Sequence, residues 1–239
     1  HQVYDVYEDL TAPGSLLWIG ADVGLFKYDR SLKSFTHYKN GVGNSGEGKE
    51  NDVRTVYLDR KGALWIGTQA GLAQFDRSTE AFTNYQSDDP ASIPTQPVGL
   101  IHEDMAGTLW LSGPNNVLGR FDRSNKTITY IRDTKNSKAV YSVHSMYEDG
   151  TGTVWIGTTS RGVIRIDRAE KSFSYYTNVP YDERSLNFTA VGGILEDKSG
   201  VLWVATPLGL NKLNRASDGR QEWFTHYTHD PKNPQGLSH

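Results

Sequence analysis

Cysteine is absent from all 239 residues, which excludes disulfides, thiolate metal sites and a cysteine nucleophile but does not fix the compartment. No apolar run approaches the length of a membrane span. Charge of one sign is also scarce: the net charge of −3 is spread without a block of like charge, which argues against nucleic acid or an anionic membrane as the main partner. The seven histidines (His1, His37, His102, His144, His226, His229 and His239) show no metal-like pairing, so no metal is expected. A Ser-His-Asp triad, a phosphate loop and a nucleotide fingerprint are missing, and no cofactor is expected. No signal peptide is visible. The chain opens at His1 rather than Met, as a processed product or excised piece would.

What the chain does contain is aromatic rings and glycine: 13 Tyr, 8 Phe, 6 Trp and 24 Gly, a composition suited to many short strands joined by tight turns. Five tryptophans, Trp18, Trp65, Trp110, Trp155 and Trp203, recur at intervals of 47, 45, 45 and 48 residues. A self-similar period in the forties marks a propeller or solenoid. Each unit reads as four strands. The first, such as Val53 to Tyr57, ends at an acidic turn: Glu8-Asp9, Asp59, Glu103-Asp104, Glu148-Asp149 or Glu196-Asp197. In four units six residues separate the turn aspartate from the tryptophan, and Gly62, Gly107, Gly152 and Gly200 are placed to supply the positive φ of a tight hairpin. The first unit is three residues longer, a loop insertion.

The second strand carries the tryptophan, as in Leu64-Trp65-Ile66-Gly67. The third runs through Gly24 to Tyr28 and its equivalents and closes on Asp29-Arg30, Asp76-Arg77, Asp122-Arg123, Asp167-Arg168 or Asn214-Arg215. The fourth alternates apolar and polar residues, as in Phe82-Thr83-Asn84-Tyr85, the pattern of a half-buried strand. Four strands per unit with no helix between them make an all-β propeller of four-stranded antiparallel blades. The expected blades span about 1–40, 51–86, 96–132, 140–177 and 188–228 of a single domain, 1–239. The tail Gly236 to His239 resembles the lead-in Ser185 to Phe188, so the chain holds a whole number of blades. A closed five-bladed ring and an arc of a larger propeller both fit. The arc is favoured, because no strand is exchanged between the termini and both edges are left for missing blades.

The string V-x-x-V/I-x-E-D, then G-x-L-W-I-G-T, G-L-x-x-F-D-R and F-x-x-Y resembles the two-component regulator propeller repeat, over essentially the whole chain. Units two and four fit best. The third departs at Ser112 to Leu118, and the fifth at Ala205 and Asn214. The resemblance implies the periplasmic or extracytoplasmic sensor of a hybrid two-component histidine kinase. It further implies an oligosaccharide ligand, and further propeller blades or downstream sensor domains of the same chain as partners. A homodimer of the intact receptor follows from the same likeness, whereas membrane contact by this segment does not.

Most conspicuous residues belong to the scaffold. The Glu-Asp pairs could serve glycoside cleavage, but their recurrence at every hairpin points to aspartates that cap turns. The Asp-Arg pairs read as turn caps with exposed ion pairs of little energetic weight. Trp18, Trp65, Trp110, Trp155 and Trp203 read as structural rings filling the space between blades rather than as sugar platforms. His37 and His226 occupy equivalent, solvent-facing positions of the outer strand.

Function is then expected where the repeats differ on one face. The loops joining strands two and three place Asp22, Gln69, Asn115, Asn116, Arg161 and Pro207 there; the starts of the inner strands place Asn51, Asp52, Gln96, Tyr141 and Asn187. Amides, an arginine and a tyrosine suit sugar hydroxyls. The leading expectation is a non-catalytic binding module. The alternatives are a propeller lyase or glycosidase using Asp22, Arg161 or Tyr141, and a protein-interaction scaffold working through the rim.

Overall fold

The computed structural model describes residues 1–9, 11–12, 14–41, 48–85, 97–113, 118–131, 143–167, 172–216, 221–230 and 232. They form five four-stranded antiparallel sheets, each a meander in chain order. The first blade comprises β1 (Val3–Glu8), β2 (Leu16–Ala21), β3 (Gly24–Asp29) and β4 (Ser34–Tyr38). A short 3₁₀ turn, Lys49–Asn51, leads into β5 (Val53–Leu58), β6 (Leu64–Thr68), β7 (Gly71–Asp76) and β8 (Ala81–Tyr85). The third blade holds β9 (Ile101–Glu103), β10 (Leu109–Ser112), β11 (Leu118–Asp122) and β12 (Thr127–Ile131). The fourth is β13 (Val143–Glu148), β14 (Val154–Thr158), β15 (Val163–Asp167) and β16 (Ser172–Tyr176). The fifth is β17 (Gly193–Glu196), β18 (Leu202–Thr206), β19 (Gly209–Arg215) and β20 (Glu222–Tyr227). The chain divides into two compact units, His1–Ala139 with blades one to three and Val140–His239 with blades four and five.

The hairpins follow the sequence pattern. Gly62, Gly107, Gly152 and Gly200 sit at φ between 77° and 82°, and Gly14 takes the same conformation inside the longer first hairpin. The inner strands of blades three and five start later than the sequence pattern predicts, at Ile101 and Gly193 rather than at Val98 and Val191. Gly99, Gly192 and Gly193 weaken strand pairing there. The two valines bond backward instead: the Val98 amide donates to the Thr68 carbonyl at 2.9 Å, and Val191 to Thr158 at 2.8 Å, each in the preceding blade.

Within the first unit, blades pack through one recurring device. The glycine two residues after the tryptophan leaves room for the inner strand of the next blade. A Cβ on Gly20 would lie 2.8 Å from Val53 Cγ1, and one on Gly67 would lie 2.5 Å from the Val98 carbonyl. In the second unit, Gly157 does the same for Val191, at 2.6 Å. Trp18 meets Phe75 of the second blade edge-on at 5.6 Å, and Trp65 meets Phe121 of the third at 5.1 Å. Trp18, Trp65, Trp110 and Trp155 are buried, and Trp203 of the last blade is half-buried.

The Asp-Arg turn corrects the sequence reading in one half. The aspartates do cap their turns: Asp29 accepts from the Ser31 amide, Asp76 from Ser78 and Asp122 from Ser124, each at 2.8 Å. Three of the arginines, however, reach into the preceding blade, whereas Arg30 lies 3.5 Å from Glu8 of its own hairpin in an exposed pair, as the sequence suggested. Arg77 donates to Asp9 Oδ2 at 2.9 Å and Arg123 to Asp59 Oδ2 at 2.6 Å. In the second unit Arg215 lies 3.8 Å from Asp149. These are not exposed pairs, because the aspartates are shut away from solvent. Of the outer-strand histidines, His37 is exposed as expected and His226 is half-buried, and both rings also close on backbone. His37 Nε2 lies 2.9 Å from the Val23 carbonyl, and His226 Nε2 lies 2.6 Å from that of Ser185.

Candidate functional site

The two ends of the blades are built differently. At the hairpin end the turn aspartate of each of the five blades is engaged. Asp59 illustrates the arrangement: Oδ1 accepts from the amides of Lys61 and Ala63 at 2.9 and 2.8 Å, while Oδ2 accepts from Trp65 Nε1 at 2.8 Å and from Arg123. The indole-to-aspartate bond is present in all five blades, at 2.6 to 3.0 Å. Glutamates brace the neighbouring hairpin. Glu103 accepts from the Arg60 amide of the preceding blade at 2.8 Å, and Glu196 from the Gly150 amide at 2.9 Å. Burial pushes the Asp59 carboxyl upward, but the bonds from Trp65, Arg123 and Ala63 outweigh it and hold the group below the usual carboxylate range. Asp9 and Asp149 are depressed by the same balance of burial against hydrogen bonds. Carboxylates held ionised and fully bonded suit a clamp, not proton transfer.

A cavity of about 230 Å³ opens beside this clamp between the first and second blades, lined by Asp9, Thr11, Leu16, Trp18, Lys27, Tyr38 and Arg77. It lies where the first hairpin is longer than the others. Asp9, Thr11 and Arg77 belong to the clamp, whereas the Tyr38 hydroxyl donates to Glu80 at 3.0 Å.

The opposite end carries the described residues among those singled out by loop variation. Asp52 and Gln69 come together in the second blade, joined by Arg54. Arg54 Nη2 donates to Asp52 Oδ2 at 2.7 Å. With its amide oxygen turned toward the guanidinium, Gln69 accepts from Nη2 at 2.8 Å and from Nε at 3.2 Å. The Gln69 backbone N–H in turn donates to the Asp52 backbone carbonyl at 3.0 Å. The ring of Tyr4, from the inner strand of the first blade, lies 4.0 Å from the Arg54 guanidinium carbon.

Asn51 instead braces backbone, and Asn187 joins a side-chain network. Asn51 is buried, and its side chain exchanges two bonds with the Asn40 backbone at 2.7 and 2.8 Å. Asn187 accepts from Thr206 Oγ1 at 2.7 Å and from Asn211 Nδ2 at 2.9 Å. Asp22 turns toward the start of the chain: its amide donates to the Gln2 carbonyl at 3.0 Å, and its carboxylate lies 3.5 Å from His1 Nδ1. In the second unit the Arg161 amide donates to Thr158 Oγ1 at 2.9 Å. Asn115, Asn116, Gln96 and Tyr141 lie outside the described residues.

Tyr4 and Arg54 were not among the candidates taken from the sequence. Both sit where the register shifts by one residue in the first strand, between Val3 and Asp5 and between Val53 and Thr55. Such bulges re-aim a side chain out of the ladder. His144 holds the same place between Val143 and Ser145. The signal was available: after the leading valine the five units read Tyr4, Arg54, Gly99, His144 and Gly192, a varied position inside an otherwise repeated strand. Among the described residues no group of three or more His, Asp or Glu could hold a metal ion, and no helix is long and apolar enough to cross a membrane.

Comparison with known proteins places this geometry in context. The family model described as the two component regulator propeller matches residues 47–70, 137–160 and 185–207, the inner-strand-to-tryptophan segments of blades two, four and five. No curated protein matches the sequence. Among solved structures, one described as the extracellular domain of a hybrid two component system, BT3049 of B. thetaiotaomicron, superposes with a TM-score of 0.70 at 22% identity. That match covers 99% of this chain and 30% of the other. PorZ, described as a surface component of the type-IX secretion system of Porphyromonas gingivalis, gives 0.67 at 17% identity, over 92% of this chain and 33% of that one. Virginiamycin B lyase from Staphylococcus aureus gives 0.64 at 14%, over 95% and 78%. At these identities the structural likeness is one of fold. The chain spans about a third of the length of the first two.

Proposed function

Since the chain carries repeats of the two component regulator propeller family, we propose that it is a ligand-sensing module of an extracytoplasmic two-component sensor and that its ligand is an oligosaccharide. The observation that carries this reading is the Tyr4, Arg54, Asp52 and Gln69 cluster. It combines an aromatic ring, a planar guanidinium, a carboxylate and an amide at the varied end of the blades, a mixture suited to hydroxyl-rich ligands. The recurrent carboxylates at the other end are committed to holding blades together, which favours binding over catalysis. Signalling then follows from differential affinity: a ligand held better in one arrangement of the neighbouring domains shifts the population toward it. Those neighbours are further blades or downstream domains of the same polypeptide, in a receptor that works as a homodimer.

Calorimetric titration of the chain with defined plant, host and fungal oligosaccharides, with each mixture assayed for cleavage, tests this. Saturable binding without product supports the sensor. Turnover would favour a lyase, an activity borne by one protein of similar fold. Absence of binding across the panel would overturn the ligand assignment.

A further inference from the structure

The first and last blades expose the two halves of an interface that neighbouring blades complete elsewhere. On the first blade the leading half is bare. Val3 and Val6 are 56% and 54% exposed, whereas their counterparts Val53 and Val56, packed into the Gly20 cradle, are 1% and 2% exposed. Tyr28 and Phe35 pair at 4.6 Å as Phe75 and Phe82 do at 4.8 Å, yet Phe35 stands in solvent. Arg30 reaches the Gly14 carbonyl of its own hairpin, as Arg77 reaches that of Gly62. Arg77 then finds the buried Asp9 of the blade before it; among the described residues Arg30 has no such aspartate and meets the exposed Glu8 instead.

The last blade carries the other half. In blades one and two a tryptophan and the outer-strand tyrosine form a slot that a ring of the next blade fills. Phe75 lies 5.6 Å from Trp18 and 4.7 Å from Tyr38, and Phe121 lies 5.1 Å from Trp65 and 4.9 Å from Tyr85. Trp203 and Tyr227 form the same pair at 5.4 Å, but the indole is half-buried and the tyrosine exposed. Leu195, in the place from which Tyr7 meets Tyr57 of the next blade at 5.9 Å, is exposed too. Asp197 is set like Asp59, with Oδ1 on two hairpin amides and Oδ2 on the Trp203 indole, and no described arginine reaches it. One position departs. Ala205 stands where Gly20, Gly67 and Gly157 receive a valine, so the cradle is shallower by a methyl.

Exposed apolar surface with a guanidinium at one end of the chain, and an open aromatic slot with a carboxylate at the other, are complementary rather than self-matching. We infer that two copies of this chain associate head to tail, the Val3, Val6 and Arg30 face of one copy seated on the Trp203, Tyr227 and Asp197 face of a second. Tyr28 enters the aromatic slot, Arg30 takes the aspartate and Val3 lies over Ala205. The contact repeats an interface that the chain already makes between its own blades, and it does not depend on the identity of any ligand.

The test is sedimentation velocity on the full chain from micromolar to millimolar concentration, with Val6→Glu, Tyr227→Glu and Ala205→Gly. The native chain should exceed its monomer mass of 26.7 kDa as concentration rises, and grow past two chains because each copy keeps one free half. Val6→Glu and Tyr227→Glu should each stay monomeric alone. Mixed in equal amounts, they should form a species of two chains and no larger, since one intact pair of faces remains. Ala205→Gly should move association to severalfold lower concentration, because the valine seats deeper. Should either glutamate variant fail to fold, as judged by its melt, Arg30→Glu blocks the leading face and Leu195→Glu the trailing one, both at exposed side chains. A native chain that stays monomeric over the whole series overturns the inference. So does assembly that blocking either face leaves intact, or a mixture that grows beyond two chains.

Discussion

Arg77 of the second blade and Asp9 of the first are 68 residues apart in sequence and 2.9 Å apart in space. The bond joins the third-strand turn of one blade to the hairpin of the blade before it, and Arg123 repeats it on Asp59. Each aspartate thereby ties together its own hairpin amides, its own tryptophan and the next blade's arginine. The repeat encodes both halves of a clamp that only the stacking of blades completes.

Removing the acceptor should therefore do more harm than removing the donor. Asp59→Ala leaves the Trp65 indole, the Arg123 guanidinium and two amides facing a carboxylate-sized gap, so it should cost about 3–5 kcal/mol, the range for breaking a buried pair. Arg123→Ala leaves Asp59 with three donors and should cost less. Urea denaturation of the two variants measures the order, and an equal loss would contradict the aspartate-centred arrangement.

Trp65→Phe separates ring packing from the indole bond. The phenyl ring can still meet Phe121, but Nε1 no longer reaches Asp59. The expected loss combines about 1.5–3 kcal/mol for a hydrogen bond to a charged group with a smaller term for reduced ring area. Trp65→Ala should lose more, and the difference between the two variants reports the packing of the ring.

The glycine cradle gives a contrast within one blade interface. Gly67→Ala places a methyl 2.5 Å from the Val98 carbonyl and 2.6 Å from Thr55 Cγ2, so backbone must move, at about 1–3 kcal/mol. Gly99→Ala meets nothing closer than the Ser112 hydroxyl at 3.5 Å and should be nearly neutral. Thermal melts of both variants check this. Equal effects would mean that Gly67 is not a packing residue.

The sequence pattern made the blades legible because tryptophan spacing and turn glycines are local signals, and the five four-stranded sheets follow them. The clamp was not legible, since the turn aspartate and the arginine closing the third strand occur in each unit and spacing pairs them within a blade, whereas stacking pairs them across blades. Among the candidate residues, loop variation named Asp52 and Gln69 in two separate sets, and the fold joins them through Arg54. Loop variation also selected Asn51, whose amide is occupied by the Asn40 backbone. Tyr4 and Arg54 stayed hidden because a residue inside a strand is read as scaffold, and the bulge that re-aims them is a matter of register rather than composition.

Acid should loosen the clamp in a definite direction. Asp9, Asp59 and Asp149 have folded-state pKa values below their ordinary value, because hydrogen bonds to the carboxylate overcome the opposing effect of burial. Between the folded and unfolded pKa values the unfolded chain binds more protons, so stability rises with pH in that window. The contribution is fully present above the unfolded value of about 3.9 and disappears as pH falls through the folded values. Unfolding free energies measured by denaturant from pH 7 down to pH 3 should therefore hold nearly level at first and then drop steeply below about pH 4. Asp59→Asn should start lower at pH 7, since the amide meets the Arg123 guanidinium without a charge, and should lose less on acidification. If the variant and native curves stay parallel down to pH 3, Asp59 does not carry its share of the acid sensitivity, and the ionised carboxylate is not what holds Arg123.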